Sequence, residues 1–157
     1  MKIALILIIC TIVILIGYGL SKSYLAKTKF LNSLKNLLED IKLNVTFKKE
    51  KLINVLEKSK SKSELKVFLT YFTKYIESGA VSKDELKNID TDNTDLLYDI
   101  ITNIGKYNSA TELVQIDSYI EQVKLLLTEA EKKSKTFAPM IVKLAILLSL
   151  AIGVVLL

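Results

Sequence analysis

The sequence predicts an all-α protein, a helical bundle of about six helices between N- and C-terminal transmembrane helices. Long apolar runs occupy both ends of the chain, while the charged residues are concentrated in the middle. The middle contains no sustained alternation of apolar and polar residues, which a half-buried strand would show. It also lacks proline, and its two glycines, Gly79 and Gly105, stand where helices are expected to end.

The first element is the uncharged run Ile3–Leu20. As a helix it is about 27 Å long, close to the roughly 30 Å hydrocarbon core of a bilayer. Tyr18 lies where interfacial aromatic residues are found. A signal peptide is the alternative because Lys2 provides a basic start. However, the run is longer than a usual signal core and no small-x-small cleavage site follows it. We therefore expect an uncleaved membrane anchor.

The last element is Ala138–Leu157, about 30 Å of apolar helix interrupted only by Lys143. Pro139 would fall in the first turn of this helix, where its missing N–H costs little. Lys143 is near the same end, and its long side chain can extend back to the headgroups. We expect a second transmembrane helix here.

The charge distribution indicates the topology. All 22 basic residues are lysine, and the net charge is +5. Lysines flank the inner ends of both apolar runs, so the positive-inside rule places the middle domain, residues 21–137, in the cytoplasm and both termini at the far face. The acidic excess of Val67–Glu131 offsets the basic flanks, a pattern that suits anionic lipid better than nucleic acid. The predicted membrane-interface residues are Tyr18, Lys22, Lys135 and Lys143.

The middle domain is predicted to consist of successive amphipathic helices. Ser/Thr-x-x-Glu spacings mark the starts of several of them as potential capping boxes. Helices are predicted over about Lys22–Leu43 and Lys48–Lys58, from the capping box Ser61/Glu64 to Gly79, from the capping box Ser82/Glu85 to about Ile89, from Asp92–Thr94 to Gly105, and from the capping box Ser109/Glu112 into the second membrane helix.

The last of these helices carries an apolar stripe spaced alternately three and four residues apart. Such a stripe packs either in the core of its own domain or in a coiled coil with a second subunit. The core interpretation is favoured because the stripe covers barely three heptads. Its members are Leu113, Ile116, Ile120, Val123, Leu127 and Ala130.

No catalytic motif is present. The chain has no histidine, phosphate-binding loop, zinc motif or serine triad, so we expect neither an enzyme nor a bound cofactor or metal. The lone Cys10 is interpreted as a packing residue. The enzymatic alternative is a membrane-bound hydrolase that uses Asp84 and Glu85, but adjacent helical residues point apart. The aspartates from Asp90 to Asp99 lack the glycine and the final glutamate of a calcium loop.

The layout of the whole chain resembles a known family. A short anchor ends in Ile16–Tyr18, a leucine-rich helix ends in Leu37–Ile41, and a later helix ends in Ile104–Gly105. A long charged helix and an apolar C-terminal helix follow. In this order the segments are similar to stage III sporulation protein AB of spore-forming bacteria. The likeness covers nearly all of the chain and rests on layout more than on sharp motifs.

The resemblance implies a function. Family members belong to a secretion-like complex that crosses the membranes between mother cell and forespore. Their soluble domain is similar to the cytoplasmic domain of platform proteins in type II secretion and type IV pilus machines. The implied partners are a secretion-type ATPase and other membrane subunits. The protein would then be a scaffold in the mother-cell membrane that does not itself bind nucleotide.

A partner surface can be suggested from charge. The basic flanks are expected to face lipid, so the acidic part of the domain is expected to face the ATPase, where charge complementarity would guide encounter. An ordinary solvated face is the simpler interpretation, and the long helix after Gly105 is another possible contact. The residues of the suggested surface are Asp84, Glu85, Asp90, Asp92, Asp95 and Asp99.

A third class of function remains open, a stand-alone membrane protein such as a holin-like or signalling anchor. It would form homo-oligomers through the helices that contain Gly17, Gly19 and Gly153. The pair Gly17 and Gly19 does not have the four-residue spacing of close-packed membrane helices, so support for this class is weak.

Overall fold

The computed structural model describes residues 2–48, 51–60, 63–90, 92–106 and 109–156. Within these ranges it contains six α-helices and no strand. Two long apolar helices, one near each end, are candidate membrane spans. The predicted fold class is confirmed.

The elements follow the predicted order. The first α-helix ends in a π-helical turn, Asn44–Lys48, and a 3-10 turn, Ser63–Leu65, leads into the third. The α-helices are α1 (Lys2–Leu43), α2 (Leu52–Ser59), α3 (Lys66–Ser78), α4 (Lys83–Leu86), α5 (Thr94–Asn103) and α6 (Ser109–Leu156).

The two end helices continue into the middle domain without a break. Helix α1 joins the N-terminal apolar run to the first bundle helix, and α6 joins the last bundle helix to the C-terminal run, as predicted. One detail of the prediction is wrong. Pro139 lies inside α6 and not in the first turn of a separate helix. It therefore removes one hydrogen bond from the helix interior, a loss that the long helix tolerates.

The chain forms two compact units. The helix-pair unit comprises Met1–Lys29 and Leu127–Leu157, and the bundle unit comprises Phe30–Leu126. The outer ends of α1 and α6 make up the first unit, while the inner ends and all the shorter helices make up the second. These boundaries describe packing alone, and the domain limits at residues 20 and 138 stay predictions.

The bundle unit has a dense apolar core. Phe68 and Phe72 are fully buried, and their rings meet edge to face with centroids 5.9 Å apart. Phe30 of α1 makes a similar contact with Phe68, at 6.4 Å. Helical spacing predicts an apolar face of α1 made of Tyr24, Leu31, Leu34, Leu38 and Ile41. All of it is buried except Tyr24, which is half-buried, and most of the α6 stripe is buried too. The residues buried on α1 include Leu31, Leu34, Leu38 and Ile41, and those on α6 include Ile116, Ile120 and Val123.

The α6 stripe is therefore packed within its own chain, and the core interpretation is confirmed. The helical spacing of α3 predicts that Ile76 faces the core, but it is 39% exposed, only two residues before α3 ends. On α2 the spacing predicts that Leu52, Ile53 and Leu56 face inward. The buried apolar residues are Val55 and Leu56, whereas Leu52 and Ile53 are half-buried. The apolar face of this short helix is thus rotated from the predicted one.

The helix ends match several predicted signals. Gly79 has φ of 70° and its N–H donates to the Tyr75 carbonyl, while Gly105 has φ of 91°. Both are conformations that only glycine adopts readily. Ser82 and Glu85 form the predicted capping box of α4. The capping boxes that involve Ser61 and the Ser109 side chain lie outside the described residues and side chains.

Candidate functional site

The helix-pair unit is held by antiparallel contacts between α1 and α6. The Cys10 thiol donates a hydrogen bond to the Ser149 carbonyl at 3.3 Å. Further along, the rings of Tyr24 and Phe137 stack with centroids 6.3 Å apart. Because α1 runs forward through these contacts while α6 runs backward, the two helices are antiparallel.

Small residues line the contact between these helices. A side chain at Gly17 would overlap the Cβ of Ala145, so the helices approach closely there. Ala145, Ser149 and Gly153 are spaced four residues apart on α6, which is the spacing of small residues in tightly packed membrane helices. Sequence reasoning missed this stripe because it considered the spacing of Gly17 and Gly19 alone.

These contacts bear on the homo-oligomer hypothesis. Gly17 faces α6 of the same chain, and Gly153 lies next to the Cys10 sulfur. Gly19 has no atom within 4 Å of an added Cβ. Two of the three glycines invoked for self-association are therefore occupied by an intrachain contact.

The outer surface of the helix pair is aliphatic. Leu7 and Leu15 are each 63% exposed, and Leu150 is 62% exposed. Only 11% of the most apolar stretch of the first helix and 17% of that of the second is buried. The core helix of a soluble protein would be mostly buried, so this pattern favours lipid as the surrounding solvent.

The predicted membrane-interface residues are all exposed. Because Gly17 faces Ala145 in an antiparallel pair, Tyr18 and Lys143 lie at about the same level along the helices. Lys22 and Lys135 lie further from the apolar ends of the two helices. A tyrosine and a lysine at one level are typical of a membrane boundary, although membrane-interface contacts stay a prediction.

Of the six predicted acidic partner residues, the two on α4 are each paired with a lysine. Asp84 accepts a hydrogen bond from Lys87 at 2.6 Å, which holds the pKa of Asp84 below its usual value. Glu85 accepts one from Lys74 at 2.8 Å and another from the Ser82 N–H, and both lower its pKa. The two carboxylates thus engage different lysines, in line with the expectation that they point apart.

Asp95 on α5 is also paired. Its carboxylate accepts a hydrogen bond from Lys83 at 2.7 Å, which lowers the pKa of Asp95 and raises that of Lys83. Asp92 and Asp99 are exposed. Helices α4 and α5 pack together, so the structure brings the acidic residues into one region, but lysines compensate much of their charge.

Asp90 differs from the rest of the acidic set because it is only 9% exposed. Its carboxylate accepts hydrogen bonds from the Asp92 N–H at 3.0 Å and from the Asn93 side chain at 2.7 Å. Its backbone carbonyl accepts one from the Thr94 hydroxyl. Asp90 thus shapes the turn that starts α5 and presents little carboxylate to a partner.

A groove that sequence reasoning missed lies beside these residues. It has a volume of about 690 Å³ and is bounded by the end of α3, the segment 79–82 and one side of α5. Tyr75 and Tyr98 line it, together with Lys74 and Lys106. We call it the α3–α5 groove. The sequence does not reveal this groove, because no local pattern pairs Tyr75 with Tyr98.

Within the described residues, no group of three or more His, Cys, Asp or Glu side chains could hold a metal ion. The distinctive surfaces are the aliphatic helix pair, the lysine-paired acidic region and the α3–α5 groove. All three are suited to contact with lipid or with other proteins.

Comparisons with known proteins point to one family. Searches of curated proteins and of solved structures found no match. The family model described as stage III sporulation protein AB matches residues 2–157, nearly the whole chain, and the protein therefore belongs to that family of sporulation proteins.

Proposed function

We propose that this protein is a non-enzymatic membrane platform in the secretion-like complex that forms between mother cell and forespore. Its bundle unit would lie in the cytoplasm and dock a secretion-type ATPase. The observation that carries the proposal is the combination of the family with two long helices that each contribute to both compact units. Each of these helices has one end in the helix-pair unit, whose surface is apolar, and the other end in the charged bundle unit.

The surface chemistry supports a scaffold. The helix pair exposes leucine and isoleucine, as a lipid-facing surface does, whereas the described apolar side chains of the bundle are mostly packed in its core. The described ion pairs are all exposed, and pairs of this kind contribute little to the stability of a fold. Neither Asp84 nor Glu85 is placed to share a substrate with the other.

The docking contact is proposed on the exposed part of the acidic region, Asp92, Asp95 and Asp99. Asp95 and Asp99 stand four residues apart on α5, so they share one helix face. Charge complementarity at such a surface mainly sets encounter rate and specificity. The alternative, a stand-alone homo-oligomeric anchor, is disfavoured because Gly17 and Gly153 already pack within the chain.

Co-purification tests the function. The full chain would be co-expressed with a secretion-type ATPase from the same organism, then purified in detergent at low and high salt. We expect the ATPase to be retained at low salt, and retention to fall on charge reversal at Asp92, Asp95 and Asp99. If charge reversal leaves retention of the ATPase unchanged, the contact lies elsewhere on the protein. If the wild-type protein does not retain the ATPase at all, docking is contradicted.

The topology is tested separately. Single cysteines would replace Lys58 and Asp92 in a Cys10→Ser background and would be labelled in intact cells with a membrane-impermeant reagent. We expect protection until the cells are opened, because both positions are proposed to be cytoplasmic. Labelling from outside would reverse the proposed orientation.

A further inference from the structure

Contacts between the residues that line the α3–α5 groove connect its sides. The Tyr75 hydroxyl donates a hydrogen bond to the Thr102 carbonyl at 3.4 Å, which joins α3 to α5 within the lining. The Lys106 amino group lies 5.6 Å from the centre of the Tyr75 ring. Lys83 lies 5.1 Å from the centre of the Tyr98 ring. A cation over a ring face is attractive, so each lysine favours the observed position of the tyrosine ring beneath it.

The groove can accept a carboxylate. Its lining carries two lysines, Lys74 and Lys106, against one acidic residue, Glu85. Glu85 is bound to Lys74 through an exposed contact, and an exposed pair of this kind is weak. An incoming carboxylate can therefore compete with Glu85 for Lys74 or lie beside Lys106. This local balance is basic, in contrast to the acidic composition of the surrounding segment.

One side of the groove is non-helical backbone. Gly79 reverses the chain at the end of α3, and the following segment 80–82 is non-helical up to the capping box. The Ala80 N–H is bonded to the Ser78 hydroxyl and the Ser82 N–H to Glu85. Val81 lies between them and makes no hydrogen bond to any described residue. Its peptide groups can pair with an extended chain.

We propose that the α3–α5 groove binds a short extended segment of a partner protein, one that carries a carboxylate next to an apolar side chain. The carboxylate lies against Lys74 and Lys106, and the apolar side chain packs on Tyr75 and Tyr98. The volume of about 690 Å³ is within the range of sites that hold small ligands or a few residues of peptide. The inference rests on the proposed function in taking the ATPase as the partner that supplies the segment.

The test compares matched variants of the full chain in the co-purification experiment. Ser78→Trp fills the groove, and Ser118→Trp places the same side chain on the exposed face of α6. Lys106→Glu reverses the charge of the groove, and Lys124→Glu makes the same change on α6. Circular dichroism and thermal unfolding check that all four variants remain folded. We expect the two groove variants to retain at least tenfold less ATPase than the two α6 variants.

A second measurement keeps the groove testable without the ATPase. Fluorescence anisotropy would follow a labelled peptide of alternating leucine and glutamate added to the full chain in neutral-lipid nanodiscs. The control peptide has lysine in place of glutamate. We expect the acidic peptide to bind, the lysine peptide not to bind, and Ser78→Trp to weaken binding at least tenfold while Ser118→Trp has no effect.

The outcomes separate the two proposals. Retention of the ATPase by all four variants overturns the groove but leaves the proposed function standing. No retention by the wild-type protein contradicts the proposed function, and the peptide experiment then decides the groove alone. Equal binding of both peptides overturns the inference. The inference is also overturned if the protein binds phosphatidylglycerol vesicles and Lys106→Glu abolishes that binding, because the groove would then be a lipid site.

Discussion

The helix-pair unit and the bundle unit both contain parts of the same two long helices, but they bury different kinds of side chain. In the bundle unit, large residues such as Phe72 are fully buried. In the helix-pair unit the buried positions include Ser21, Ala138 and Ser149, while many of the leucines and isoleucines are exposed. The bundle unit is stabilised by the burial of apolar surface, whereas the helix-pair unit depends on the close approach of two helix backbones. Where lipid is the solvent, the small side chains mark the inner face of a helix.

The largest expected effect is in the bundle core. Phe72→Ala removes a fully buried ring that packs on Phe68, and we expect it to lower the free energy of unfolding by about 3–5 kcal/mol. Urea denaturation of the full chain in detergent, followed by circular dichroism, measures this. Leu125→Ala is the control because Leu125 is 72% exposed, and its effect should be near zero. Equal losses would mean that the bundle core is not where we describe it.

The second prediction concerns the small-residue contact. Gly17→Leu forces a side chain into Ala145, and overpacking of this kind lowers the free energy of unfolding by about 1–3 kcal/mol. The native Cys10 and an introduced Gly153→Cys lie close enough for oxidative cross-linking within one chain. We expect Gly17→Leu to reduce this cross-link several-fold.

Gly19→Leu is the matched control for the cross-link, because a side chain at Gly19 meets no atom within 4 Å. The cross-link should form as well in this variant as in the parent. A cross-link that joins two chains in place of one would contradict the intrachain pairing and revive the homo-oligomer hypothesis.

A smaller effect is expected at the start of α4. The Ser82 hydroxyl accepts a hydrogen bond from the Asp84 N–H, and Ser82→Ala should cost about 1 kcal/mol. Thr70→Ala changes an exposed hydroxyl within α3 and should cost much less. Thermal unfolding of the two variants makes the comparison. Similar shifts in both would show that the cap contributes nothing special.

The smallest effect is a dependence on pH. The pKa values of Asp84, Glu85 and Asp95 are lowered by their lysine partners, so each pair stabilises the fold above the ordinary carboxyl pKa, which is 3.8 for aspartate and 4.5 for glutamate. That stability is lost as the pH falls through the lowered values. We expect the melting temperature to decline below about pH 4.5, and less steeply in Glu85→Gln. An identical decline in the variant would show that the Glu85 pair does not contribute.

The sequence by itself was sufficient for the architecture. Apolar periodicity located the helices, and the glycines at 79 and 105 marked two of their ends, because these signals are local and follow from helix geometry. The continuity of both end helices into the bundle was also expected, although Pro139 stands at the start of the C-terminal apolar run. Pro139 was misplaced because a proline reads as a helix start unless the preceding turn is known to be helical.

Only the tertiary structure decided the details of the candidate site. Asp90 looks like its acidic neighbours in the sequence, yet it is buried in a turn, and Glu85 is matched to Lys74 on a different helix. The α3–α5 groove depends on Tyr75 and Tyr98, and the helix pair on Gly17 and Ala145. Contacts between residues so far apart in the chain are selected by how the helices pack. A periodic pattern specifies which face of a helix is covered, but the partner that covers it is determined by the fold as a whole.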